Sequence, residues 1–126
     1  MSIIGIGIDI LEIERIKKNI LQFGDNLAKK ILSPLEWKEY IISKNKINFI
    51  AKRFAAKEAA SKALGTGINC GIKFNHLELY NNSLGKPNFR FLSYAFQKLG
   101  EINCKSIHVS ITDEKLYIYA LVILEN

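Results

Sequence analysis

Asn48-Phe49-Ile50-Ala51-Lys52-Arg53-Phe54-Ala55-Ala56-Lys57-Glu58-Ala59-Ala60-Ser61-Lys62-Ala63-Leu64, closed by Gly65-Thr66-Gly67, is the stretch that decides the fold. Its six alanines (Ala51, Ala55, Ala56, Ala59, Ala60, Ala63) make it the strongest helix former in the chain. Side chains this small also let other elements press against it on several sides. Gly65 ends the helix as a left-handed cap. Arg53 and Lys57 lie four apart, as do Glu58 and Lys62, so each pair projects from a common face. Phe54, Glu58, Ser61, Lys62 and Gly65 share one stripe. On an exposed helix the Glu58–Lys62 spacing would mean only an ion pair worth ~0.3 to 0.5 kcal/mol. On a helix packed through alanines, the same stripe reads as half-buried and purposeful.

Working outward, Ile4, Ile6 and Ile8 alternate with Gly5, Gly7 and Asp9, a period-two pattern that predicts a strand. The glycines predict another backbone close against their face, and Asp9 falls at the strand's end. From Leu11 the pattern turns helical, through Ile13, Ile16, Ile20 and Phe23. Ser33-Pro34-Leu35-Glu36 is a helix start, with a Ser N-cap, Pro at the first helical position and Glu closing a capping box. Leu77–Leu79 and Phe89–Phe91 flank Asn82-Ser83-Leu84-Gly85-Lys86-Pro87 as a hairpin. Ser93–Leu99 is a short helix stopped by Gly100. Strands at Ser106–Thr112 and Leu116–Leu124 close the chain. The expectation is one α+β domain over residues 1–126, with an antiparallel sheet packed on the alanine-rich helix.

The 126 residues suit one domain with a modest core. No apolar run reaches the ~20 residues needed to span a bilayer, and no basic segment precedes an apolar stretch as in a secretory signal. Cys70 and Cys104 are then expected as reduced thiols, and the compartment as cytoplasmic. The net charge of +6 favours polyanionic partners, although an Ile-, Asn- and Lys-rich composition accounts for part of the lysine excess.

Asp9 has two readings at this point, an N-cap for the following helix or, with Glu58, the carboxylate half of a Mg²⁺ site. Gly65-Thr66-Gly67 is a plain helix cap or a place where backbone N–H groups meet a phosphate. It is not a Walker loop, because the Gly-Lys-Thr/Ser ending is missing and it follows its helix. His108, Ser110 and Thr112 share one face of a late strand. His76 and the cysteines lack zinc-ligand spacing.

Four segments together resemble the holo-[acyl-carrier-protein] synthase family of 4′-phosphopantetheinyl transferases. They are Gly5-Ile6-Gly7-Ile8-Asp9 with Arg15; Arg53–Ala59 with Lys62-Ala63 and Gly65-Thr66-Gly67; Gly85-Lys86-Pro87; and His108-Val109-Ser110-Ile111-Thr112. The resemblance runs from Ile4 to about Leu124, in the family's order. It implies the 4′-phosphopantetheinyl transferase fold. It also implies transfer of phosphopantetheine from coenzyme A to a serine of apo acyl carrier protein, releasing adenosine 3′,5′-bisphosphate, in support of fatty acid biosynthesis. By the same resemblance Asp9, Glu58 and Lys62 are catalytic and Asp9 and Glu58 hold Mg²⁺, while the base is Glu58 or a metal-bound water. Arg53, Lys57, Lys62, Gly65, Thr66, Gly67, Gly85, Lys86, Pro87 and His108 would contact coenzyme A. Arg15 and the first helix would dock the acidic carrier, and three subunits would associate with active sites between them.

One departure stands out. Where the family often has a histidine after the Val-Ser-Ile-Thr stretch, this chain has Asp113-Glu114. A negative loop beside a nucleotide is unfavourable unless it points away. A basic nucleic-acid-binding protein is the rival from another class; it requires lysines interleaved with exposed aromatics. The spacing of Phe54, Phe89, Phe91 and Phe96 is core-like, so no nucleic-acid or membrane partner is expected.

Overall fold

The computed structural model describes every residue from Met1 to Asn126. The chain opens with β1 (Ile3–Glu12), α1 (Ile13–Phe23), α2 (Asn26–Ile31), α3 (Pro34–Ile42) and α4 (Lys46–Leu64). It continues through a 3-10 turn at Phe74–His76, β2 (Leu77–Asn81), β3 (Pro87–Phe91), α5 (Ser93–Glu101), β4 (Ser106–Asp113) and β5 (Tyr117–Glu125). The fold is α+β, as expected, but its antiparallel strands divide between two sheets. One has the order β1-β5-β4, and the other is the β2-β3 hairpin.

Strand alternation explains how β1 meets α4. Gly7 and Leu11 are buried and Gly5 and Asp9 half-buried, whereas Ile6, Ile8 and Ile10 face outward at 58, 62 and 54% exposure. A Cβ at Gly5 would overlap the carbonyl oxygen of Ala63, and one at Gly7 that of Ala59. The glycines therefore let the strand lie against the helix backbone, as their spacing predicts. Ile118, Ala120, Val122 and Leu124 of β5 turn to the same side and are buried with Ala55, Ala56, Ala59 and Ala60. Full burial of each large aliphatic side chain contributes ~1.5 to 3 kcal/mol.

Element ends move by a few residues for identifiable reasons. Pairing of β1 with β5 continues to Glu12–Tyr117, so α1 begins at Ile13 rather than Leu11. The Asn45 side chain accepts from the N–H of Asn48 at 3.0 Å, so α4 begins at Lys46. Gly65 caps α4 at φ 80°, the left-handed conformation expected of it. The capping box of α3 is present: Glu36 N–H donates to Ser33 Oγ at 3.3 Å, and Ser33 N–H to Glu36 Oε1 at 2.9 Å. Helix α5 runs through Gly100 to Glu101 instead of stopping. The six-residue α2, with Ala28 and Ile31 buried, is an element the spacing did not mark. The hairpin pairs Leu77 with Phe91 and Asn81 with Pro87. Cys70 and Cys104 are free thiols. No helix is long and apolar enough to cross a membrane.

Candidate active site

The crossing of β1 and α4 brings Asp9, Glu58 and Lys62 together. Asp9 lies within β1, opposite Ala120, three residues short of the strand's end. The N-cap position of α1 belongs to Glu12, which removes the capping reading of Asp9. Because Asp9 shares the glycine face, its carboxylate is directed toward α4 and its side chain is 16% exposed. Lys62 does not pair with Glu58. Its ammonium crosses to the strand, donating to the Ile8 carbonyl at 3.0 Å and lying 3.2 Å from Asp9 Oδ1. Glu58 is half-buried, and burial pushes its carboxyl pKa up. The negative charge of Asp9 pushes in the same direction, with Lys62 and Arg15 opposing.

Two carboxylates raising each other's energy in a half-buried spot have the donor chemistry of a divalent-cation site. No third His, Cys, Asp or Glu joins them. That suits Mg²⁺, which takes one or two carboxylates and completes its shell with water and phosphate oxygens.

A second locus is a cavity of about 430 Å³ lined by Arg53, Gly85 and Pro87, with Asn48, Lys52 and Asp113 on its walls. The structure thus joins Arg53 to the hairpin turn that carries the exposed Lys86. Arg53 is 5% exposed; its guanidinium lies 3.4 Å over the Phe49 ring, with carboxylates of Glu36 and Glu39 at 3.7 and 3.6 Å. The acidic loop does not point away. Asp113 lies in the cavity wall, where Lys52 at 2.9 Å neutralises it and Asn48 Nδ2 donates to it at 3.2 Å. Arg53 and Glu58 are five residues apart on one helix, a turn of roughly 140°. The cavity and the carboxylate pair therefore face different directions.

Two expectations need correction, and a third residue lies outside this cavity. Lys57 is fully buried, and its ammonium donates to Ile31 O at 2.6 Å, Glu36 Oε1 at 2.5 Å and Phe74 O at 3.1 Å. All three N–H groups are used, so Lys57 does not reach a nucleotide. The Gly65-Thr66-Gly67 turn does not offer its backbone to a phosphate. The N–H of Gly65 donates to Lys62 O, and those of Thr66 and Gly67 to Ser61 O. These donors cap α4 at its negative dipole end, which repels anions. His108 stands apart from the cavity on the outer sheet face, 57% exposed and 3.2 Å from Glu125.

Arg15, exposed on α1, borders a shallower cavity of about 360 Å³ with Leu11, Ile16, Lys18 and Phe54. Its charge acts on Glu58, so the basic face of α1 adjoins the carboxylate pair. Phe89 and Phe91 are buried as their spacing implies, whereas Phe96, on the outer side of α5, is 66% exposed and not part of the core.

Sequence reasoning missed Glu36, Lys52 and Asn48. Asn48 and Lys52 are one turn apart on α4, ahead of Arg53, a signal that was open to reading. For Glu36 the capping box masked a second role, since its other partners come from β2 and α4.

Comparison with known proteins identifies the family. Residues 5–120 match the model of the 4′-phosphopantetheinyl transferase superfamily. The chain is 66% identical over the whole length of both chains to the holo-[acyl-carrier-protein] synthase of Buchnera aphidicola subsp. Acyrthosiphon pisum (strain Tuc7). The crystal structure of the synthase from Neisseria meningitidis superposes with a TM-score of 0.94 at 37% identity, covering 99% of this chain and 100% of that one. The Bacillus anthracis synthase, in complex with CoA (3′,5′-ADP), gives 0.81 at 36% identity, covering 98% and 97%. The chain belongs to the 4′-phosphopantetheinyl transferase superfamily, within its holo-[acyl-carrier-protein] synthase family.

Proposed function

We propose that the protein transfers 4′-phosphopantetheine from coenzyme A to a serine hydroxyl of an acidic apo acyl carrier protein. The products are holo carrier protein and adenosine 3′,5′-bisphosphate, and the step serves cytoplasmic fatty acid biosynthesis. The observation that carries this reading is the Asp9–Glu58 pair at the β1–α4 crossing, with Lys62 latched across it. Support comes from the Helicobacter pylori relative, whose structure is in complex with coenzyme A, and from the Bacillus anthracis one, in complex with CoA (3′,5′-ADP).

In the reaction the serine oxygen bonds to the phosphorus that bears the pantetheine arm. The bond from that phosphorus to the bridging oxygen of the nucleotide 5′-phosphate breaks. Asp9 and Glu58 would hold Mg²⁺, which when bound neutralises pyrophosphate charge. Glu58, half-buried beside Asp9, is the nearby carboxylate that would accept the serine proton. The Lys62 ammonium, 52% exposed and held by only two acceptors, can turn a proton toward the leaving bisphosphate. Arg53, Lys86 and the Gly85–Pro87 turn would receive the nucleotide and its 3′-phosphate. Arg15 and α1 would steer the acidic carrier.

The opposed directions of cavity and carboxylate pair favour a site completed by a second copy, in a homotrimer. Ile6, Ile8 and Ile10 sit beside Ile123, Leu121 and Tyr119 on the outer sheet face, an apolar surface available for such contacts. Purified protein with coenzyme A, Mg²⁺ and apo carrier should yield a carrier heavier by one phosphopantetheine in mass spectrometry. No mass gain with several carriers would overturn the reading.

A further inference from the structure

Beneath the cavity lies a set of charges that the transfer reaction does not use. Glu36 is fully buried at the start of α3, and its two carboxylate oxygens face different partners. Oε1 accepts from Ser33 N–H at 2.9 Å and from the Lys57 ammonium at 2.5 Å. Oε2 accepts from Leu79 N–H of β2 at 3.2 Å and faces Arg53 Nε at 3.7 Å. The first oxygen thus ties α3 to α4. The second ties the hairpin strand to the one arginine of the cavity wall.

Arg53 is held loosely by comparison. Its Nε is buried and lacks a hydrogen-bond partner, since 3.7 Å is too long for one. Its remaining restraints are the Phe49 ring, the Phe49 carbonyl at 3.5 Å and the partly exposed Glu39. A guanidinium so placed is oriented mainly by charge. Glu36 is the only fully buried carboxylate facing it, and Lys57 in turn holds that carboxylate in place.

Resting on the reading of the cavity as the nucleotide pocket, we infer that Glu36 is a positioning residue for coenzyme A binding, acting through Arg53. Lys57 is its anchor. A purely structural pair could be replaced by neutral side chains at little cost to function. A positioning carboxylate could not, because Arg53 would lose the charge that aims it.

The test compares Arg53→Met, Lys57→Met, Glu36→Gln and the double variant Glu36→Gln/Lys57→Met, with Glu36→Gln/Arg53→Met completing a cycle. Melting temperature, KM for coenzyme A, kcat, and calorimetric affinity for adenosine 3′,5′-bisphosphate are measured for each. The Glu36/Lys57 double variant should recover most of the thermal stability lost by Lys57→Met alone. Its KM should still rise about tenfold, as expected for a lost interaction with a charged group, with kcat much less affected. In the Arg53→Met background, Glu36→Gln should change KM no further. Parent-like KM and bisphosphate affinity in the stable double variant, or additive effects in the cycle, overturn the inference. If the double variant does not fold, the cycle still decides. Arg53→Met leaving bisphosphate affinity unchanged would instead remove the nucleotide reading of the cavity.

Discussion

Two of the four lysines on helix α4, Lys57 and Lys62, have surroundings that could hardly differ more. Lys57 is sealed among Ile31 O, Phe74 O and Glu36, with every donor satisfied by protein. Lys62, five residues later, is 52% exposed and reaches over β1 to Asp9. The closed cluster binds α2, α3, α4 and the hairpin into one body, whereas the open one leaves charge unmatched at the surface. Burial pushes the Lys57 pKa down, while Glu36 opposes that shift. At the open site the two carboxylates, Asp9 and Glu58, burden each other, and burial holds the Glu58 pKa up. Stability and chemistry thus occupy neighbouring turns of one helix, divided by which partners the rest of the chain delivers.

That division can be broken experimentally. Glu58→Gln keeps shape and removes charge, and transfer should fall about 10² to 10⁴-fold with the melting temperature nearly unchanged. Activity near the parent's would show that Glu58 is not part of the chemistry. Lys57→Ala should do the opposite, costing ~3 to 5 kcal/mol in denaturant unfolding, since it strands the Glu36 carboxylate in the core. A loss under 1 kcal/mol would mean the closed cluster holds little together.

A pH titration sharpens the same contrast. The Tyr40 hydroxyl donates to Asp25 at 2.7 Å and its pKa is pushed up to about 12, chiefly by burial and then by Asp25. Between the ordinary value near 10 and that raised one, the folded chain keeps a proton that the unfolded chain releases. Its contribution is therefore whole below pH ~10 and is lost as pH rises toward ~12, a fall of about 2 kcal/mol. Tyr40→Phe should flatten that limb of the stability curve. The smallest effect belongs to Lys62→Met, which should change stability by less than ~1 kcal/mol because its ion pair is half-exposed, while still slowing transfer.

Much of the open site was legible in the sequence. The Ile/Gly alternation announced β1 and its close approach to another backbone, and the alanine run announced α4. The capping box at Ser33–Glu36 and the hairpin around Gly85 also formed as read. The closed cluster was not legible. On a helix buried on several sides, spacing cannot tell which charged residue meets a partner from α3, and Lys57 therefore looked like a nucleotide contact. The division into two sheets was hidden for a similar reason, since strand order depends on long-range pairing such as β1 with β5. Asp113 looked out of place until Lys52, sixty-one residues earlier, was seen beside it.

The contact between Gly5, Gly7 and the carbonyls of Ala63 and Ala59 has a further consequence. Asp9 rides on the strand and Glu58 on the helix, so the gap between the two acids is gauged by methyl groups that are missing. A single added carbon upstream, as in Gly7→Ala, would act as a wedge and spread the two acids apart. The spacing of the acid pair is thus inherited from two residues that have no side chain at all.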